Sequence, residues 1–322
     1  MADKLLGAFV WCELMTSDMK AAESFYSKVV GWKPVPFAPD GSYTVFNNAN
    51  GGVGGVMKLP DQAKRMGTPP NWIMYVGTPN VDDTVMRIVQ LGGRVHKQPE
   101  NIPNVGRFAV MQDPFGATFA LLTPTPPPGS PERKRGGIGD FSWFELYTPN
   151  PDGAWKFYET LFGWEKTSAM DMGEMGVYQM FGRGGGIPNG GIMKPPPGAP
   201  ASWMPYALVK DARAAAAVAL ANGGKIVNGP MQVPGGDWIA QGIDPQGAMF
   251  AVHSLKPASK ADAPAKTAAK KSAKKAARKA APKKAKAKLP KQSAKPSKRK
   301  VARKAATPKK KAAKKKAAKR KK

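Results

Sequence analysis

The sequence predicts an α+β protein of two tandem domains followed by a polybasic tail. Three observations carry this: an internal repeat, a strand–helix alternation written twice within each copy, and an abrupt change of composition near residue 256. Phe9–Thr16 (FVWCELMT) matches Phe141–Thr148 (FSWFELYT), and Phe25-Tyr26 and Gly31-Trp32 match Phe157-Tyr158 and Gly163-Trp164 at the same offset. Gly54–Lys58 matches Gly190–Lys194, and Trp72 and Tyr75 match Trp203 and Tyr206. Gly92-Gly93 matches Gly223-Gly224, and Asp113–Ala117 matches Asp244–Ala248. Anchors that keep their order over so long a stretch mark a tandem duplication.

The elements follow in order. Ala8–Met15 is rich in β-formers, and Asp18 is placed to cap the helix that carries Phe25, Tyr26, Val29 and Val30 at helical spacing, with Gly31 as its stop. In the second copy Asn150 and Pro151 take the cap and first-turn positions, and Gly163 the stop. Short strands are expected at Tyr43–Phe46 and Val53–Lys58. The pattern then restarts with a strand at Asn71–Gly77 and a helix at Val81–Leu91 that ends in Gly92-Gly93. Strands at Arg94–Lys97, Arg107–Gln112 and Ala117–Leu122 complete it. Each copy therefore reads β-α-β-β-β twice. Composition sets the domain limits at 1–123 and 138–255, joined by a stiff, extended Pro/Gly-rich linker at 124–137 and followed by the tail at 256–322.

Charge separates body from tail. Of 51 basic residues in the 322-residue chain, 30 lie in 256–322 against one acid, Asp262, so the whole net charge of +29 sits there and the body is neutral. One cysteine, Cys12, excludes an internal disulfide framework and a Cys-based zinc site, and it is expected to be a buried structural thiol. His96 and His253 leave little for metal or acid–base chemistry, and no Ser-His-Asp or Cys-His set is visible. His96 is expected at a surface or strand edge, because the second copy has Val227 there. The longest apolar run, Ala214–Ala221, is too short to span a bilayer, and Glu13 interrupts the only stretch that resembles a signal peptide. The expected location is cytoplasmic and nucleoid-associated. The glycine-rich pieces Gly51–Gly55 and Gly182–Gly191 do not match a phosphate loop.

The opening strand ending in Thr16-Ser-Asp18, the Phe25-Tyr26…Gly31-Trp32 helix and the Asp113-Pro-x-Gly116 turn, all present again in the second copy, resemble the vicinal oxygen chelate superfamily. That superfamily includes glyoxalase I, bleomycin-resistance proteins and extradiol dioxygenases. The resemblance implies paired βαβββ modules that curl into an open, curved sheet around one cavity per domain, where many members hold a divalent metal. Its usual ligand positions fall here on Trp11 and Trp143, on Trp72 and Trp203, and on Ala120 and Ala251. A divalent metal therefore stays open but lacks its usual ligands, and no other cofactor is indicated.

What those positions offer instead is aromatic. Trp11, Glu13, Tyr43 and Trp72 in the first copy, and Trp143, Glu145, Tyr178 and Trp203 in the second, are the candidate ligand-binding residues. Each Glu lies two residues after its Trp and shares its strand face. Tyr75 and Tyr206 are expected to face away from Trp72 and Trp203. Two tryptophans and a carboxylate suit a flat or cationic organic molecule through stacking and cation–π contact. Core packing for the tryptophans, with the Glu exposed or paired, is the competing reading. Glu13 and Glu145 are also the candidates for general acid–base catalysis.

The tail is essentially Lys, Ala, Pro and a few Ser or Thr, with some Arg and no aromatic residue, and is expected to be disordered in isolation. It is similar to linker-histone C-terminal tails and Lys/Ala-rich bacterial nucleoid proteins. Its candidate phosphate contacts are Lys274, Lys275, Arg278, Lys279, Lys298, Arg299, Lys300, Thr307, Pro308, Lys309, Lys310, Lys314, Lys315 and Lys316. Binding to duplex DNA or another polyanion would be sequence-independent. The function expected from the sequence is a small-molecule-binding tandem protein tethered to nucleic acid, with a homodimer left open. A lyase- or dioxygenase-type enzyme and a nucleoid-structuring protein are the two rivals.

Overall fold

The computed structural model describes residues 2–126, 129 and 133–256; the tail and its candidate phosphate contacts otherwise lie outside them. The first repeat runs α1 (Ala2–Leu5), β1 (Phe9–Thr16), α2 (Met19–Val29), β2 (Lys33–Pro36), β3 (Tyr43–Asn48), β4 (Gly51–Lys58), α3 (Asp61–Arg65), β5 (Asn71–Gly77), α4 (Val81–Gln90), β6 (Arg94–Ile102), β7 (Gly106–Gln112) and β8 (Thr118–Pro124). The second runs β9 (Phe141–Tyr147), α5 (Pro151–Phe162), β10 (Glu165–Asp171), β11 (Val177–Gly182), β12 (Pro188–Met193), β13 (Ser202–Leu208), α6 (Ala212–Ala221), β14 (Lys225–Gln232), β15 (Trp238–Ile243) and β16 (Met249–Ser254).

The helices start where short polar side chains cap them. Asp18 accepts the Ala21 N–H at 3.0 Å, and Asn150 accepts the Gly153 N–H at 3.0 Å with Pro151 opening the helix. Gly163 ends α5 at φ 64°, a left-handed conformation that glycine adopts without a Cβ penalty. The sequence reading places no strand at Lys33–Pro36, which carries two prolines. The structure seats it at the sheet edge, exposed, where a missing N–H costs little.

Each repeat forms one eight-stranded curved sheet, in the orders β2-β3-β4-β1-β5-β8-β7-β6 and β10-β11-β12-β9-β13-β16-β15-β14. Within each, the first strand of one βαβββ module pairs antiparallel with the first strand of the other (β1 with β5, β9 with β13). It pairs parallel with its own module's last strand (β1 with β4, β9 with β12).

One hydrophobic core serves both repeats. It joins Phe9, Phe25 and Trp32 to Phe144, Phe157 and Trp164, and the Phe9 and Phe144 rings stack at 3.7 Å. Two buried hydrogen-bonded chains cross between the repeats. Trp72 Nε1 donates to the Tyr26 hydroxyl at 2.9 Å, which donates to Asp244 at 3.0 Å. Trp203 Nε1 donates to the Tyr158 hydroxyl at 2.9 Å, which donates to Asp113 at 2.9 Å. Each aspartate also accepts two backbone N–H groups of its own turn through its other oxygen. Two further links are reciprocal: Trp32 Nε1 donates to the Gly139 carbonyl, and Trp164 Nε1 to that of Gly7.

His96 is exposed on the edge strand β6, and Cys12 is buried in the shared core, where burial pushes its thiol up. Tyr26→Phe or Tyr158→Phe would orphan an indole N–H and strip an aspartate of one donor. Each is expected to cost about 1–3 kcal/mol per orphaned group. Thermal melts should show a lowered Tm but still one cooperative transition, since the main core is shared by the two repeats.

Candidate functional site

The concave faces carry the second kind of surface. On β1, Trp11, Glu13 and Met15 point to the same side, and the antiparallel register sets Trp11 opposite Tyr75 and Glu13 opposite Ile73. Ile73, Tyr75, Ala120 and Leu122 form a small cluster on this face, with Val10, Trp11, Met15, Phe108 and Val110 half-buried around it. Tyr43 reaches over from β3: Trp11 Nε1 donates to its hydroxyl at 3.0 Å. The ring lies across Gly55, which faces Glu13 from β4, and any Cβ at residue 55 would collide with it. Gly191 leaves the same space for Tyr178 in the second repeat. These glycines are the sequence's means of bringing a phenol beside a carboxylate.

The second groove repeats this and adds to it. Trp143 Nε1 donates to the Tyr178 hydroxyl at 2.8 Å. Tyr206 donates to Glu145, and Gln241 Nε2 donates to Tyr206 and, at 3.0 Å, to the Tyr147 hydroxyl. In the first groove Tyr75 donates to Glu13 at 3.1 Å, while Met15 and Val110 stand where the second has Tyr147 and Gln241.

Glu13 and Glu145 are 8 % and 6 % exposed. Burial pushes both carboxyls above the ordinary carboxylate range, and hydroxyl donors oppose the shift only in part: Tyr43 and Tyr75 at Glu13, Tyr206 and Tyr147 at Glu145. The same burial, reinforced by the neighbouring carboxylate, drives Tyr43, Tyr75, Tyr178 and Tyr206 up, so these phenols remain donors at neutral pH.

The structure brings together Trp11, Glu13 and Tyr43, and Trp143, Glu145 and Tyr178. It does not bring Trp72 or Trp203 to them, which corrects the expectation for that pair. Trp72 lies opposite Leu14, and Trp203 opposite Leu146, so the period of the strand turns both to the core face, where they bond Tyr26 and Tyr158. Tyr75 and Tyr206 do face away from them, and that direction is the groove. The repeat marked both tyrosines; only the pairing register shows which face they occupy. Tyr147 and Gln241 have no counterparts in the first copy, so the repeat gave no signal for them.

A divalent cation takes three or four converging oxygen, nitrogen or sulfur ligands. Glu13 and Glu145 each stand as a lone carboxylate among neutral phenols and indoles. Among the described residues no three His, Cys, Asp or Glu side chains come together. The residues present do not fit such an ion.

Fold, duplication and groove define a tandem βαβββ protein, and the chain belongs to the Glyoxalase/Bleomycin resistance protein/Dioxygenase superfamily, whose model matches residues 8–121 and 140–252. It is 35 % identical over 253 residues to the Mycobacterium tuberculosis protein named "Putative glyoxylase CFP32", covering 77 % of this chain and 94 % of that one. It is 28 % identical over 277 residues to the anthracycline biosynthesis protein DnrV of Streptomyces peucetius, covering 80 % and 96 %. Among solved structures, the Mn(II)-bound glyoxalase from Novosphingobium aromaticivorans shares the fold with a TM-score of 0.56 at 16 % identity, over 78 % of this chain and 83 % of that one. The 2,3-dioxygenase LapB from Pseudomonas sp. KL28 does so at 0.56 and 12 % identity, over 79 % and 94 %. Among the described residues, no helix is long and apolar enough to cross a membrane.

Both glutamates bind their proton more tightly in the folded chain than in the unfolded one. The stability they contribute is therefore present below the ordinary value of 4.5 and is lost as pH rises through the raised value. Glu13→Gln and Glu145→Gln are expected to raise Tm near neutral pH, by about 2–4 °C for each kcal/mol relieved. In acid, below the ordinary value, they should leave it unchanged. Thermal melts across pH check this.

Proposed function

We propose that the body binds a small, flat organic molecule in the concave grooves, presenting a hydrogen-bond donor or cationic edge to Glu13 or Glu145. The observation that supports this reading is the same Trp–Tyr–Glu–Tyr set in both repeats, half-buried at its indole and first phenol and buried at its carboxylate. A carboxylate held out of water is costly until a ligand or proton meets it, whereas an exposed indole face gains by being covered. The tail is the second part of the proposal. Its lysines neutralise phosphates without reading bases, and so tether the body to duplex nucleic acid.

Native mass spectrometry of the gently purified full chain, with elemental analysis, tests the first part. A retained organic mass without stoichiometric divalent metal is the expected result, reduced in Trp11→Ala and Trp143→Ala. A stoichiometric metal ion would overturn it. If about ten lysines engage, duplex affinity should fall with salt at a log–log slope of about −9.

A second reading, catalysis by proton transfer, is favoured by the raised carboxyls, since a group poised nearer neutrality both gives and takes a proton. The relative named as a glyoxylase is consistent with it. Under that reading Glu145→Gln keeps the ligand and loses its conversion.

A further inference from the structure

At one end of the second groove stand three side chains with no counterpart in the first. Ser142 Oγ lies 2.9 Å from His253 Nδ1, and His253 Nε2 lies 3.0 Å from Asp237 Oδ2. The other oxygen of Asp237 accepts the Lys256 backbone N–H at 2.7 Å, which fixes the carboxylate. The first repeat has Val10, Leu122 and Gly106 at the matching positions. Val10 and Leu122 pack together on the concave face, so the fold needs only apolar contact there. The polar set in the second repeat is therefore an addition that packing does not require.

The arrangement assigns roles. A carboxylate on Nε2 holds the imidazole proton on that nitrogen and leaves Nδ1 as a lone pair facing the serine hydroxyl. The Tyr206 carbonyl, at 3.5 Å, is the weaker of the two acceptors for that hydroxyl. The ring nitrogens are used in the opposite order from a chymotrypsin-type triad, but either lone pair serves as a base. Ser142 also sits where the pairing of β9 with β13 breaks register, between Trp143 opposite Tyr206 and Phe141 opposite Ala207. Such a break takes a residue out of the ladder, and the first repeat breaks at the same place, around Val10. His253 is 13 % and Asp237 31 % exposed at the side chain, so the set is reachable from solvent. Ser142 directly precedes Trp143, an aromatic wall of the groove.

We infer that Ser142, His253 and Asp237 form a second reactive site, in which Ser142 is an activated nucleophile toward carboxylic esters seated beside Trp143. Ser142 Oγ bonds to the carbonyl carbon while its proton passes to His253 Nδ1. The bond to the leaving oxygen breaks, and that oxygen takes the proton from His253. Water then repeats the sequence on the acyl-serine, releasing a carboxylic acid and restoring the hydroxyl. Asp237 is a positioning residue that acts through the ring. The inference does not depend on the Glu-centred reading of either groove.

The test is labelling of the full chain with a fluorophosphonate, with the adduct located by peptide mass spectrometry. A single adduct on Ser142 is expected. The first repeat supplies variants that suit the fold: Ser142→Val should abolish the adduct, and His253→Leu should slow labelling by about a hundredfold or more. Asp237→Asn should slow it as well, and Asp237→Glu should recover part of the rate, which a purely structural role would not produce. No adduct on Ser142 in the intact chain, or labelling unaffected by His253→Leu, would overturn the inference.

Discussion

The structure depends on a buried carboxylate exchanged between the two repeats. Asp113 and Asp244 each terminate a Trp–Tyr–Asp chain whose tryptophan and tyrosine come from the other repeat. Burial pushes both aspartates up, and they are held by backbone N–H groups on one oxygen and a phenol on the other. A satisfied buried network of this kind specifies one arrangement, because sliding the repeats would leave a donor and an acceptor unpaired on each side. The stacked Phe9 and Phe144 rings join the repeats in the same core.

Because the inner faces are committed to holding the repeats together, chemistry is left to the outer ones. Each groove cluster contains residues of its own repeat only. Their buried glutamates work against stability, which is the usual mark of a side chain kept for what it meets. The phenols around them stay protonated, so each groove presents fixed donors on one side and an acceptor of tunable charge in its floor.

Much of the fold was legible in the sequence, because duplication gives two independent copies of every strand, cap and turn. The signals at Asp18, Asn150 and Gly163 are local, and local chemistry decides them. The edge strand Lys33–Pro36 was not legible, since only its place at the border makes two prolines harmless. In the site, Trp11 and Glu13 could be placed on one face by alternation within β1. Trp72 could not, because alternation says that Trp72 and Tyr75 differ in face but not which face is the groove. The β1–β5 register settles that. Ser142 and His253 are far apart in sequence and absent from the first copy, so neither spacing nor repetition could join them.

The shared core has a consequence for how such a chain can change. Its halves are mechanically inseparable: neither can be cut away, swapped or inserted into without exposing the aromatic surface of the other. Yet each outer groove is insulated by a full sheet from its twin. Substitutions such as Val to Gln at the position of residues 110 and 241, or Val to Ser at that of 10 and 142, alter one groove and leave the joint untouched. Duplication here yields a locked frame with two unlinked laboratories, one of which can retain an old ligand while the other acquires a new one.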